Sequence, residues 1–212
     1  MKLFSSELKV VNIGLESFSD SLADKGVKAV QVEFKPPLSS DPTLFEKVRI
    51  NSLKIAAANK KALDRILSSR PALVGLDKAI NVIPGMKKDL ILHAGPSVKW
   101  ANMCGPMRGA VIGALIYESL AGNEKEAEKL AASGKIKFSP CHDHCAVGPM
   151  AGIISASMPV FIVKNEEYGN YAYATMNEGL GKVLRYGAYS PEVIERLKWM
   201  EAVMYPALKR AV

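Results

Sequence analysis

"LKVVNIGLESFSDSLADKGVKAVQVEF", Leu8 to Phe34, decides the class of fold. Leu8 to Ile13 is an apolar run stopped by Gly14, which reads as a buried strand. Leu15, Phe18, Leu22 and Ala23 then fall on one helical face, and Gly26 follows as a C-cap. The stretch "VKAVQVEF" alternates and is stopped by Pro36 and Pro37, so it is a second strand. Strand, helix and strand within roughly thirty residues form the smallest unit of a parallel sheet with a right-handed crossover. The pattern predicts an α/β protein: a Rossmann-like parallel sheet with helices on both faces and a small N-terminal β-α-β unit. The turn "NIGLES" carries one glycine rather than G-x-G-x-x-G, so it lacks a dinucleotide fingerprint, and no motif calls for a cofactor.

Outward from that unit, "PPLSSDP" (Pro36 to Pro42) is a linker, which predicts residues 1–42 as a small β-α-β unit with linker and 43–212 as an α/β body. In the body, a long helix is expected from Leu44 to Ser68 and a strand over Pro71 to Leu76. "LILH", "IKFS", "MPVFIVKN" and "NYAYATMNEGLG" read as further strands. An exposed helix starts at a capping Asn123, and a C-terminal helix at Ser190 with Pro191 in its first turn. Pro206 is expected to kink or end that last helix.

The totals narrow the function classes. A chain of 212 residues with 49% hydrophobic content can bury a real core. No apolar run is long enough to span a membrane, and the start lacks a signal-peptide cleavage site. Three cysteines cannot all pair, so the cytoplasm is the simplest address. The net charge of +7 is dispersed among acids, as in "GNEKEAEKLAASGK", without basic runs interleaved with aromatics. A small anionic substrate suits this charge better than nucleic acid.

Four glycine-rich loops follow strands: "HAGPS" from His93, "CGPMRG" from Cys104, "SPCHDHCAVGPMAG" from Ser139 and "NEGLGKVLRYG" from Asn177. In parallel α/β folds, ligands bind beyond the carboxyl ends of strands, where such loops meet helix N-termini. The second and third share G-P-M-x-G, read as two similar turns capping helices. Gly105, Gly109 and Gly148 are the backbone candidates in them. Arg108 and Arg185 are candidate clamps for a carboxylate or phosphate, because a guanidinium donates two parallel hydrogen bonds to either. Lys182 adds a point charge, Asn177 a group for an amide-bearing substrate, and Glu178 an orienting carboxylate. Turn chemistry is the bland alternative for Asn177 and Glu178, and surface ion pairing for the arginines.

Cys141 to Cys145, "CHDHC", admits several chemistries. The spacing of the two cysteines suits zinc, but no distant pair of ligands completes a set beyond His93 and Cys104, and no metal is expected. A disulfide across so tight a loop is awkward, and a thiol nucleophile paired with His142 or His144 has no local signature. Small buried thiols are the favoured reading for the cysteines. Direct ligand contact is favoured for His142 and His144, since an imidazole can donate to an anion or polarise a carbonyl. His93, where a strand gives way to a loop, joins them as a candidate catalytic residue.

Taken together, "HAGP", "MCGPMRGAVIGALIYE", "FSPCHDHCAVGPMAGIISASMPVF" and "NEGLGKVLRYGA" resemble, in order and spacing, the YlbE-like family found beside FdrA-like proteins. The resemblance runs from about Asn59 to the end and implies a subunit of an oxamate carbamoyltransferase, acting on oxamate or oxalurate and carbamoyl phosphate. Cys141, His142 and His144 match the family pattern, whereas Asp143 and Cys145 depart from it. Family members are about twice as long. The resemblance therefore implies a homo-oligomer, or a hetero-complex with FdrA-like and second-half subunits. A non-catalytic ligand-binding or structural subunit is the alternative.

Overall fold

A computed structural model describes residues 8–33, 41–150, 152–177 and 188–211, and the chain forms two compact units, Met1–Asp64 and Arg65–Val212. In the first unit β1 (Val10–Ile13) pairs in parallel with β2 (Ala29–Val32), and α1 (Glu16–Ala23) is the crossover between them. The expected β-α-β unit is therefore present. Asn12 and Ser19 both donate to the Gln31 side-chain oxygen, at 2.6 and 2.8 Å, tying strand, helix and strand together by polar bonds.

The long helix expected from Leu44 is two helices, α2 (Pro42–Ile50) and α3 (Ser52–Leu67). Asp41 caps α2 by accepting from the Thr43 N–H at 2.8 Å. The break falls at Asn51, whose side-chain amide donates to the Lys47 carbonyl at 2.8 Å and so competes with the helical ladder.

The second unit holds two sheets. In one, β3 (Pro71–Lys78), β8 (Pro159–Asn165), β9 (Tyr171–Thr175) and β6 (Ala146–Val147) lie in that spatial order. In the other, β4 (Leu90–His93) lies between β5 (Lys137–Pro140) and β7 (Ile153–Ile154). The α/β class holds, and every sheet contains a parallel pair: β1 with β2, β4 with β5, β6 with β9. The strands do not join into one parallel sheet, however. The long ladders β3–β8 and β8–β9 are antiparallel. For β8 and β9 the cause is local: "EEYGN" between them is too short for a crossover, and Gly169 at φ 71° closes it as a hairpin.

After β3 comes the short helix α4 (Ala79–Val82), and after β4 the helix α5 (Gly105–Tyr117). Nearly all of α5 from Gly109 to Tyr117 is buried, in a core with Leu92, Ile153, Ile154, Val160 and Leu197. α6 (Glu124–Ala132) is capped as expected, Asn123 accepting from the Glu126 N–H at 3.0 Å. The C-terminal α7 (Pro191–Trp199) starts after Ser190, passes through a π-helical turn at Met200–Met204, and continues as α8 (Tyr205–Lys209). Pro206 thus neither ends the helix nor leaves it regular. The wider turn accommodates the missing N–H and the ring's clash with the preceding turn. No helix among the described residues is long and apolar enough to cross a membrane.

Candidate functional site

The site is built on the carboxyl ends of β4 and β5. These strands pair in parallel with His93 opposite Pro140, Leu92 opposite Ser139 and Ile91 opposite Phe138. Side chains alternate between the faces of a strand. His93, Phe138 and Pro140 therefore share one face, and Ser139 lies on the other.

On the first face His93 is fully buried. Its Nδ1 lies 3.0 Å from the Ala94 carbonyl oxygen, which can only accept, so in the neutral ring Nδ1 carries the proton and Nε2 is the acceptor. Nε2 is buried with no hydrogen-bond partner among the described residues. Trp100 stacks on Phe138 with ring centroids 6.4 Å apart, and the Arg108 guanidinium lies 5.4 Å over the Trp100 ring. Arg108 Nη2 donates to the Ala101 carbonyl at 2.7 Å, and its buried Nε also lacks a partner among the described residues. Arg108 thus belongs to the His93 face, held by an aromatic plane and a carbonyl. Gly105 opens α5 and Gly109 is buried one turn later, so the first G-P-M-x-G element caps a helix as expected.

The opposite face holds His144, at the end of a single 3₁₀ turn, Cys141–His144. His144 Nδ1 donates to the Pro84 carbonyl at 2.6 Å, and Nε2 accepts from the Ser139 hydroxyl at 2.9 Å. Both ring nitrogens are thus engaged. His142 points to solvent, with Nε2 3.5 Å from Asp143. Cys145 ends the turn in the left-handed conformation, φ 54°.

The second G-P-M-x-G element leads into strand β7 rather than a helix. Gly152 N–H donates to the Pro149 carbonyl at 2.8 Å and Gly152 O accepts from Ala94 N–H at 3.2 Å, tying this turn to the residue after His93. A Cβ at Gly152 would collide with the Pro149 ring, and one at Gly148 would sit 3.1 Å from Cys141 Sγ. Because β6 runs parallel to β9, with Val147 opposite Ala174, the Gly148 turn and Asn177 leave the sheet at the same end. Asn177 is buried, and its N–H donates to Thr175 Oγ1 at 3.0 Å. Topology therefore groups His93, the Gly148 turn and Asn177. Glu178, Lys182 and Arg185 lie outside the described residues.

The cysteines are free, with Cys141 buried and Cys104 and Cys145 exposed. Burial pushes the Cys141 thiol up to about 11, against the opposing pull of the Gly148 N–H. A thiol so poised is a poor nucleophile near neutral pH. Among the described residues no group of three or more His, Cys, Asp or Glu could hold a metal ion.

The sequence singled out neither Trp100 nor the polar network that fastens the C-terminal helix. In that network Glu201 accepts from Lys78 Nζ at 2.6 Å and from Tyr117 OH at 2.7 Å. Burial, and then the bond to Glu201, raise the Tyr117 phenol above its ordinary range. Asp77 accepts from Asn81, Lys209, Tyr205 and the Lys78 N–H, and these bonds outweigh its burial to hold the carboxyl down at about 2.

Comparison with known proteins adds a family relationship. Residues 136–212 match the family model described as oxamate carbamoyltransferase subunit AllG. The chain is 50% identical to the uncharacterized protein YahG of Escherichia coli K12, an alignment covering 99% of this chain and 46% of that protein. It is 42% identical to the oxamate carbamoyltransferase subunit AllG of the same organism, over 74% of this chain and 38% of that one. A crystal structure of a conserved protein of unknown function from Enterococcus faecalis V583 superposes with a TM-score of 0.70 at 52% identity, covering 81% of this chain and 39% of that one. The chain thus spans less than half the length of the curated relatives it matches, and its C-terminal part is similar to a subunit of oxamate carbamoyltransferase.

Proposed function

We propose that this polypeptide supplies ligand-binding loops to a multi-subunit carbamoyltransferase of the YlbE-like kind, acting on oxamate or oxalurate and carbamoyl phosphate. The observation that carries this is the match of residues 136–212, which include the "CHDHC" turn, the Gly148 turn and Asn177, to an oxamate carbamoyltransferase subunit. Arg108 reads the phosphate or carboxylate with the part of its guanidinium left over from Ala101. The first turn of α5, Gly105 to Gly109, helps neutralise charge there. His142, exposed beside Asp143, donates to the carbamoyl oxygen as it becomes an oxyanion. His93 works from the buried side, whereas His144 holds the loop. Glu178, Lys182 and Arg185 complete the substrate-binding set with Asn177. A homo-oligomer, or a complex with FdrA-like and second-half subunits in the cytoplasm, provides the rest of the active site.

The test is phosphate release from carbamoyl phosphate by the complete assembly. Release that requires both oxamate and this chain is the expected result. An assembly equally active without this chain reduces it to a structural subunit, and one with no oxamate-dependent release overturns the assignment.

A further inference from the structure

Two buried polar groups stand unpaired on the three-stranded sheet. His93 Nε2 and Ser155 Oγ have no hydrogen-bond partner among the described residues, and the two residues are 0% and 1% exposed. Buried polar groups are paired in the large majority of cases, and an unpaired one carries an uncompensated desolvation cost. A ligand that pairs them would recover that cost.

Their placement relates them. His93 sits opposite Ile153 across the β4–β7 ladder, and Ser155 follows two residues later, just past the end of β7, where the pleat returns to the His93 face. Their chemistry is complementary. Nε2 is an acceptor, because Nδ1 carries the ring proton and donates it in a hydrogen bond to the Ala94 carbonyl, and the serine hydroxyl is a donor free to rotate. An acceptor and a donor on one face match a primary carboxamide, which offers an N–H and a C=O on adjacent atoms.

Resting on the function proposed above, we infer that His93 and Ser155 bind the amide end of oxamate, its N–H donating to Nε2 and its carbonyl accepting from Oγ–H. Nε2 then also receives the proton of the reaction. The amide N–H bond breaks, its proton passes to Nε2, the nitrogen pair forms the bond to the carbamoyl carbon, and phosphate leaves with the C–O pair.

The experiment titrates the complete assembly and its Ser155→Ala variant with oxamate and with oxalate, which carries an oxygen anion where oxamate has NH₂. Wild type should prefer oxamate. Ser155→Ala should bind oxamate about tenfold more weakly, the worth of one hydrogen bond, while its melting temperature holds or rises because an unpaired hydroxyl has been removed. His93→Gln should lose the preference for oxamate over oxalate. Undiminished oxamate binding by Ser155→Ala overturns the assignment of Ser155 and leaves the proposed function standing. A lowered melting temperature with unchanged affinity does the same, by making the hydroxyl structural. Failure of wild type to bind oxamate at all defeats the proposed function itself, and this assignment with it.

Discussion

The two faces of the three-stranded sheet treat the same side chain in opposite ways. His144, on the Ser139 face, spends both ring nitrogens on its own fold, donating to Pro84 and accepting from Ser139. His93, on the Phe138 face, makes only the first kind of bond, to Ala94, and keeps a buried lone pair with no partner among the described residues. His93 ends β4 and His144 ends the turn after β5, each beside a glycine loop, so their motifs rank them equally. The lone pair left over distinguishes them. His144 has its hydrogen bonds complete within the fold, whereas His93 keeps one buried ring nitrogen with no partner among the described residues.

Arg108→Lys tests the open face most severely. Lysine keeps the charge but gives up the plane that lies on Trp100 and the fork that reads an anion. Turnover of the complete assembly should fall on the order of a hundredfold, the usual cost of losing one aligned donor. The melting temperature should change little. Steady-state kinetics with intact turnover would remove Arg108 from the site.

His144→Ala tests the closed face, with the opposite signature. It removes both partners' bonds at a half-exposed position where water can replace them, so stability should drop by about 1 kcal/mol, read as a lower denaturant midpoint. Turnover per folded molecule should be little changed. A stable but inactive variant would erase the distinction between the two faces.

Cys141, buried at the start of the turn that ends in His144, sharpens the comparison. Near neutral pH, iodoacetamide should label the exposed Cys104 and Cys145 well before Cys141. Since folding raises this thiol from 9.0 to about 11, the unfolded chain ionises first, and stability should fall as pH rises across that interval. Cys141→Ser should flatten the alkaline loss and leave turnover largely intact. Abolished turnover would make the chemistry thiol-based.

The smallest effect is expected at Asp77, away from both faces. Its carboxyl is held at about 2, below the ordinary 3.8, so the stability it contributes is present above that range and is lost as the pH falls through it. Solvent screens these bonds, which limits the contribution to about 1 kcal/mol or less. Acid titration of stability in Asp77→Asn should lack this component.

Much of this architecture is legible along the chain because it depends on near neighbours. The alternation in "VKAVQVEF" and the helical spacing of Leu15, Phe18 and Leu22 mark the β-α-β unit, and Asn123 marks the start of α6. Two-residue strands such as Ala146–Val147 and Ile153–Ile154 carry no periodicity to read. They exist because β9 and β4 offer them partners. The two G-P-M-x-G elements show the same limit. Identical spacing opens a helix after Cys104 but leads into a strand at Ile153, where pairing with β4 takes hold. Trp100 becomes notable only because Phe138 is beneath it and Arg108 above, and Ser155 only because nothing described bonds its hydroxyl.

By itself, then, the sequence determined the α/β class and the strand-to-loop positions of His93 and Asn177. Periodicity, capping and turn residues act over a few positions and are written in order along the chain. Only the tertiary structure decided that β8 and β9 fold back as a hairpin, that Arg108 stacks on Trp100, and that His144 bonds through both ring nitrogens while His93 has one with no described partner. Those outcomes turn on which hydrogen-bond partners arrive from distant segments, Pro84 for one histidine and none described for the other, and no local pattern encodes which partners arrive.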